Sequence, residues 1–225
     1  MKHIKRIFTL TSITISLTLL CAAFLPAKEA KGWKSILPNK SLKGWSIHPI
    51  PPTAPLSPAA QWSLDKTTGY LVCSGKGGHD WLRYDRKTLS DFAMQVEWRF
   101  VKLAEPAKYN SGIFVRNNAD ATIWHQAQTG DASGGYLFGV TPSGDKNERF
   151  NTREQAKSLV KPAGEWNTFE IICKGKTITL KVNGETAMVW DQCGYPNGYI
   201  GLEAEGYAIE FRAVRIRKLN KKGEA

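Results

Sequence analysis

Cysteine is scarce: the 225 residues hold four, and one of them, Cys21, lies in an apolar stretch near the N-terminus. The others, Cys73, Cys173 and Cys193, are too few and too scattered for a zinc site, and their odd number allows at most one internal bridge. Cys73 and Cys173 fall in strand-like runs, where a buried thiol is expected. After Leu20 no apolar run approaches the ~20 residues that span a bilayer, so no transmembrane anchor is expected in the mature chain. Helical periodicity is nearly missing, and so are internal repeats and linker-like composition. The loop GDASGG lacks the GK[ST] ending of a phosphate-binding loop and reads as a turn. Paired histidines and calcium-loop spacing are also missing. No cofactor is therefore expected, and a divalent metal such as calcium has room only at a carboxylate and carbonyl site that sequence does not locate.

What the chain does have begins with Lys2, Lys5 and Arg6 before an apolar run from Ile7 to Leu20, then small residues and Pro26. This is the pattern of a secretory signal peptide over residues 1–27. Export to the periplasm or beyond is expected. Leu19-Leu20 before Cys21 lacks the small residue of a lipidation site, so a lipoprotein is disfavoured. The formal charge of +11 falls by three with the leader, and part of the excess sits in the tail RIRKLNKKGEA. A basic exported chain suits anionic envelope surfaces or acidic glycans better than nucleic acid, and an ordinary solvated surface is the simpler reading of the charge. Oligomeric state is not indicated.

Short runs with period-two apolar alternation recur from about Trp45 to Leu219, separated by Gly, Asn, Asp and Pro turns. The fold class is all-β, an antiparallel sandwich forming one domain over residues 31–219, with a basic tail at 220–225. The clearest strands are FAMQVEWRF, SGIFVR, TIWHQAQ, YLFGV, NTFEIIC, TITLKV, ETAMVW, YIGLEAE and AIEFRAVRI. KGKT and NGE read as hairpin turns. HPIPPTAPLSPAA carries too many prolines for a central strand, and RFNTREQAKSL reads as a short helix or a polar excursion.

Alternation sorts each strand into a core row and an outer row. In FAMQVEWRF the core row is Phe92, Met94, Val96, Trp98 and Phe100, leaving Gln95, Glu97 and Arg99 outside. In NSGIFVR, Ser111, Ile113 and Val115 turn inward while Asn110, Phe114 and Arg116 turn outward. TIWHQAQ puts Trp124, Gln126 and Gln128 on one face and Ile123, His125 and Ala127 on the other. In the segment that follows Ile200, Leu202 and Ala204 oppose Glu203, Glu205 and Tyr207. If these strands are neighbours, their outer rows form a polar and aromatic floor suited to a sugar, whose ring stacks on aromatic faces and whose hydroxyls bond amides and carboxylates. An ordinary solvated sheet face is the alternative.

The frame GWKSILPNKSLKGW, then DFAMQVEWRF, NSGIFVR, PAGEWNTFEI, VNG and IGLEAEGYAIEFRAVRIRKL, resembles in order and spacing the 3-keto-disaccharide hydrolase family, also described as 3-keto-glucoside lyases and hydratases. The likeness covers nearly all of the chain after the leader. It implies a concanavalin A-like jelly-roll β-sandwich of two antiparallel sheets, exported by a bacterium and acting on glycosides whose glucose unit carries a 3-ketone. Asn110 and Arg116 match polar positions of the family. The family's following strand carries a Glu and a Gln at the positions of Gln126 and Gln128, and its last motif a Gln and then a Glu or His at Glu203 and Glu205. Two departures concern charge: an expected acid is Gln126, and an expected amide is Glu203.

A 3-ketone acidifies the neighbouring C–H, so the glycosidic bond can break by elimination, and water can then add to the unsaturated sugar. Such a site needs a base, a partner for the enolate oxygen and an acid for the leaving oxygen. On this reading Glu205 is the base, and Glu203 lies about 6.5 Å away on the same face. Arg116 stabilises the enolate, Asn110, Gln126 and Gln128 orient hydroxyls, Trp124 and Tyr207 supply aromatic contact, and Glu97 is a further carboxylate. His125 is expected in the core, and His79 at the rim of a loop with Trp81. A noncatalytic, lectin-like glycan-binding module is the alternative, and a two-carboxylate glycosidase a third.

Overall fold

The computed structural model describes residues 32–130 and 133–219, and within them every regular element is a β-strand. The proposed leader, the tail and two residues of GDASGG lie outside the described residues. Among the described residues no helix is long and apolar enough to cross a membrane.

Two antiparallel sheets face each other. The eight-stranded sheet runs, in spatial order, β13 (Glu185–Trp190), β12 (Thr177–Val182), β11 (Asn167–Lys174), β6 (Phe92–Phe100), β15 (Ile209–Lys218), β4 (Leu71–Cys73) and β3 (Trp62–Leu64), with β1 (Lys34–Ser35) also pairing β15. The seven-stranded sheet runs β10 (Lys146–Asn151), β9 (Leu137–Ser143), β8 (Trp124–Gln128), β7 (Gly112–Asn117), β14 (Tyr199–Glu205), β5 (His79–Tyr84) and β2 (Trp45–Pro49). This is the jelly-roll sandwich expected.

The core lies between the sheets and follows the alternation. Phe92, Met94, Val96, Trp98 and Phe100 of β6 are buried against Ile113 and Val115 of β7 and Leu202 and Ala204 of β14 within one cluster. Each such large apolar side chain contributes roughly 1.5–3 kcal/mol by leaving water. Cys73, Cys173 and Cys193 are buried and unbridged, and burial pushes the Cys73 and Cys173 thiols up to about 12. KGKT and NGE form the two hairpins, with Gly175, Asn183 and Gly184 at positive φ.

RFNTREQAKSL is not helical. Its first three residues end β10, which pairs with β9 from Lys146↔Ser143 to Asn151↔Phe138, and the rest forms turns. The paired edge outweighs the weak helical pattern. His48 and Pro49 end the edge strand β2, where a missing N–H costs no ladder bond, and the other prolines follow in a loop.

Candidate functional site

Strands β8, β7 and β14 are neighbours, with β5 next to β14, so three of the polar rows share one face of the seven-stranded sheet. Register aligns them: Gly112↔Gln128 and Phe114↔Gln126 across β7 and β8, Glu205↔His79 and Glu203↔Trp81 across β14 and β5. A cleft of about 350 Å³ opens over this floor. It is lined by Asn110, Trp124, Gln126, Gln128, Glu203 and Glu205 together with His79, Phe114, Tyr136, Phe138 and two residues of the Pro-rich loop, Ile50 and Pro52.

The polar members form a closed ring. His79 Nε2 lies 2.9 Å from Glu203 Oε1 and 4.0 Å from Glu205 Oε2. Gln126 Nε2 donates to Glu203 Oε2 at 2.7 Å and to Gln128 Oε1 at 2.9 Å. Gln128 donates onward to Asn110, whose side chain bonds Glu205. The two positions where acid and amide are exchanged relative to the family pattern, Gln126 and Glu203, are therefore direct partners. Glu203 is buried and Ser111 Oγ donates to its backbone carbonyl, whereas Glu205 is half-exposed.

Two glycines allow this packing. A Cβ on Gly112 would meet Gln126 Nε2 at 1.9 Å, so the bare backbone of β7 is what lets the Gln126 amide lie across it toward Glu203. A Cβ on Gly201 would meet Trp81 Cε3 at 2.5 Å, so the indole likewise lies flat on β14. Trp81 is fully buried, edge-on to Phe114 at 5.5 Å.

Burial raises the Glu205 carboxyl above the ordinary range, and the charge of Glu203 adds to this. For His79 burial works to lower the imidazole, but the hydrogen bond and charge of Glu203, with the charges of Glu205 and Asp80, outweigh it and raise the net value. Among the described residues His79 is the one side chain lining the cleft that can carry positive charge, because no Lys or Arg of them lines it. His79, Glu203 and Glu205 each offer one ligand atom, all within 4.8 Å of one another, so the same three could hold a divalent metal ion.

Three expected positions are corrected. Arg116 has φ 54, which turns its side chain out of the alternation and off the floor. It is fully buried and donates to the Ser90 and Gly175 carbonyls, each at 2.6 Å, and to Asp91 at 3.2 Å, tying the loop before β6 to the β11–β12 hairpin. Glu97 is on β6, in the opposite sheet, where it accepts from Arg212 Nε at 2.6 Å. Tyr207 falls beyond the end of β14, after Gly206 at φ 76, and packs on Tyr109 at 5.3 Å rather than lining the cleft.

His125 is where parity places it: fully buried, 3.1 Å from Thr141 Oγ1 and 3.2 Å from the Arg116 carbonyl, with burial first among the causes holding its pKa down at about 4. His79 is the residue the loop reading undervalued. The alternation of HDWLRY carried the signal, since Leu82 and Tyr84 join the core and His79 and Trp81 oppose them.

A family model described as a 3-keto-alpha-glucoside-1,2-lyase-like domain matches residues 32–217. No curated protein matches the chain. Among solved structures, a Parabacteroides distasonis protein proposed to be a glycosyl hydrolase is similar at TM-score 0.57 and 16% identity, covering 84% of this chain and 94% of that one. The carbohydrate-binding module CBM66 of Bacillus subtilis has TM-score 0.54 at 10% identity, over 78% and 96% of the two chains. The β-glucanase of Bacillus licheniformis has TM-score 0.52 at 13% identity, over 83% and 97%. At these identities the likeness is one of fold.

Proposed function

Because the chain belongs to the 3-keto-alpha-glucoside-1,2-lyase-like family, we propose that it is an exported carbohydrate-active enzyme that cleaves 3-keto-glycosides by base-catalysed elimination, with hydration completing a net hydrolysis. The observation that carries this reading is the closed polar ring around Glu205, a half-exposed carboxylate of raised pKa beside His79, the one cation-capable side chain that lines the cleft among the described residues.

Glu205 takes the proton from C2 of the 3-keto sugar. The C1–O bond breaks as the C1–C2 double bond forms, conjugated with the C3 ketone, and the leaving oxygen takes a proton from solvent. His79, as imidazolium, balances the charge that develops on the ketone oxygen, a role for which Arg116 lies too deep. Glu203 holds His79 in place through the 2.9 Å contact, and Asn110, Gln126 and Gln128 fix the carboxylates and orient sugar hydroxyls. In the hydration step water adds its oxygen at C1 and releases one proton to solvent, while the half-exposed Glu205, its carboxyl proton exchanged with solvent, gives a proton to C2.

The test is a paired assay of a glucoside and its 3-keto derivative with purified protein. Release from the 3-keto compound alone is expected, reduced at least about 100-fold in Glu205→Gln with the fold intact. Saturable sugar binding without turnover of either compound would make the protein a lectin-like module. Hydrolysis of the unoxidised glucoside would make it an ordinary glycosidase.

A further inference from the structure

The cleft is divided. The polar ring of Asn110, Gln126, Gln128, His79, Glu203 and Glu205 runs toward β14 and the start of β5, while Phe114, Trp124 and Phe138 of β7, β8 and β9 make up the other half, with Gln126 paired between Phe114 and Phe138 at the boundary. The rings of that half pack edge to face. Phe114 and Trp124 are 6.2 Å apart at 88°, Trp124 and Phe138 5.0 Å apart at 89°, and Tyr136 extends the wall 5.6 Å from Phe138. Ile50 and Pro52 from the Pro-rich loop add further apolar surface to the cleft.

From this division we infer that the aromatic half is the aglycone subsite and that it takes a flat aromatic aglycone in preference to a second sugar. The inference rests on the reading that the polar ring holds the oxidised glucose. A second sugar in the aromatic half would bring several hydroxyls to a wall where, among the described residues, the side chains offer the Trp124 indole N–H, the Tyr136 hydroxyl and Gln126, whose amide N–H groups are already given to Gln128 and Glu203, and hydroxyls buried without partners weaken binding. An aryl group has none to satisfy. It lies against ring faces and edges already set at right angles, the geometry aromatic pairs prefer. An elimination also gains from this aglycone, because a phenolate is a better leaving group than a sugar alkoxide.

The experiment compares three 3-keto-glucosides, phenyl, methyl and glucosyl, by kcat/KM and by calorimetric binding to the same full-length protein and to its Trp124→Ala and Phe138→Ala variants. The expected result is an aryl preference of roughly tenfold or more over the disaccharide, with the aryl-to-methyl ratio falling about tenfold in either variant. Equal or better use of the disaccharide, or an unchanged ratio in both variants, overturns the assignment. If no compound turns over, the proposed activity fails by itself, and binding still decides the subsite: aryl-selective affinity supports it, and equal affinity overturns it. Far-UV circular dichroism of the variants separates a lost subsite from a lost fold.

Discussion

Replacing Gly112 by alanine adds one methyl group at the point where the site is tightest. Gly112 lies outside the left-handed backbone region, so the cost is steric, and the new Cβ would sit 1.9, 2.3 and 2.5 Å from Nε2, Cδ and Cγ of Gln126. Gln126 is buried and cannot yield without giving up its 2.7 Å bond to Glu203 and its 2.9 Å bond to Gln128. A hydrogen bond to a charged acceptor contributes about 1.5–3 kcal/mol and overpacking costs about 1–3 kcal/mol, so the variant should lose roughly 2.5–6 kcal/mol. For a domain of this size that corresponds to a fall in Tm of roughly 5–24 °C. Gln126→Ala alone should cost about 1.5–3 kcal/mol by leaving Glu203 short of a donor. Gly112→Ala added to it should cost little more, because the methyl group then enters the space the amide vacated. Urea unfolding followed by tryptophan fluorescence measures all four corners of this cycle. Costs that add within about 0.5 kcal/mol would refute the claim that the bare backbone of β7 exists to carry the Gln126 amide.

Arg116→Ala should destabilise by roughly 3–5 kcal/mol by stripping a donor from the Ser90 and Gly175 carbonyls and from Asp91, with activity per folded molecule retained. A stable but inactive variant would return Arg116 to the chemistry. His125 is buried with its pKa lowered from 6.5 to about 4, so the unfolded chain takes up its proton first as pH falls. Stability should therefore drop by about 3 kcal/mol between roughly pH 6.5 and 4 on this account, and pH-dependent denaturation of His125→Gln should lose that component. The proposed proton transfers use Glu205 and solvent, with His79 as the charge partner, so kcat/KM should survive exhaustive treatment with EDTA. Loss of activity restored by a divalent ion would seat that ion among His79, Glu203 and Glu205.

Most of the sandwich is legible in the sequence because period-two alternation is a local signal. The core row of β6, the inward His125 and the outward Trp124, Gln126 and Gln128 all follow from parity. What parity cannot carry is which sheet a strand joins. Glu97 has the same outward pattern as Gln126, yet β6 belongs to the other sheet. Nor does parity survive a left-handed residue: Arg116 at φ 54 breaks the alternation one step before β7 ends. The exchange of acid and amide at Gln126 and Glu203 is visible in sequence, but their 2.7 Å contact spans 77 positions and needs the register of β8, β7 and β14. His79 enters the site for the same reason, through Glu205↔His79 pairing across β14 and β5.

The central claim is that the C2 hydrogen leaves the sugar during cleavage. Running the reaction on a 3-keto-glucoside in heavy water and recording the mass and proton spectrum of freshly released sugar reads this directly. Elimination followed by hydration predicts deuterium at C2, above the level acquired by 3-keto-glucose incubated alone, and no such labelling with Glu205→Gln. Release of the aglycone with the C2 protium fully retained would contradict the account and point to direct displacement at C1.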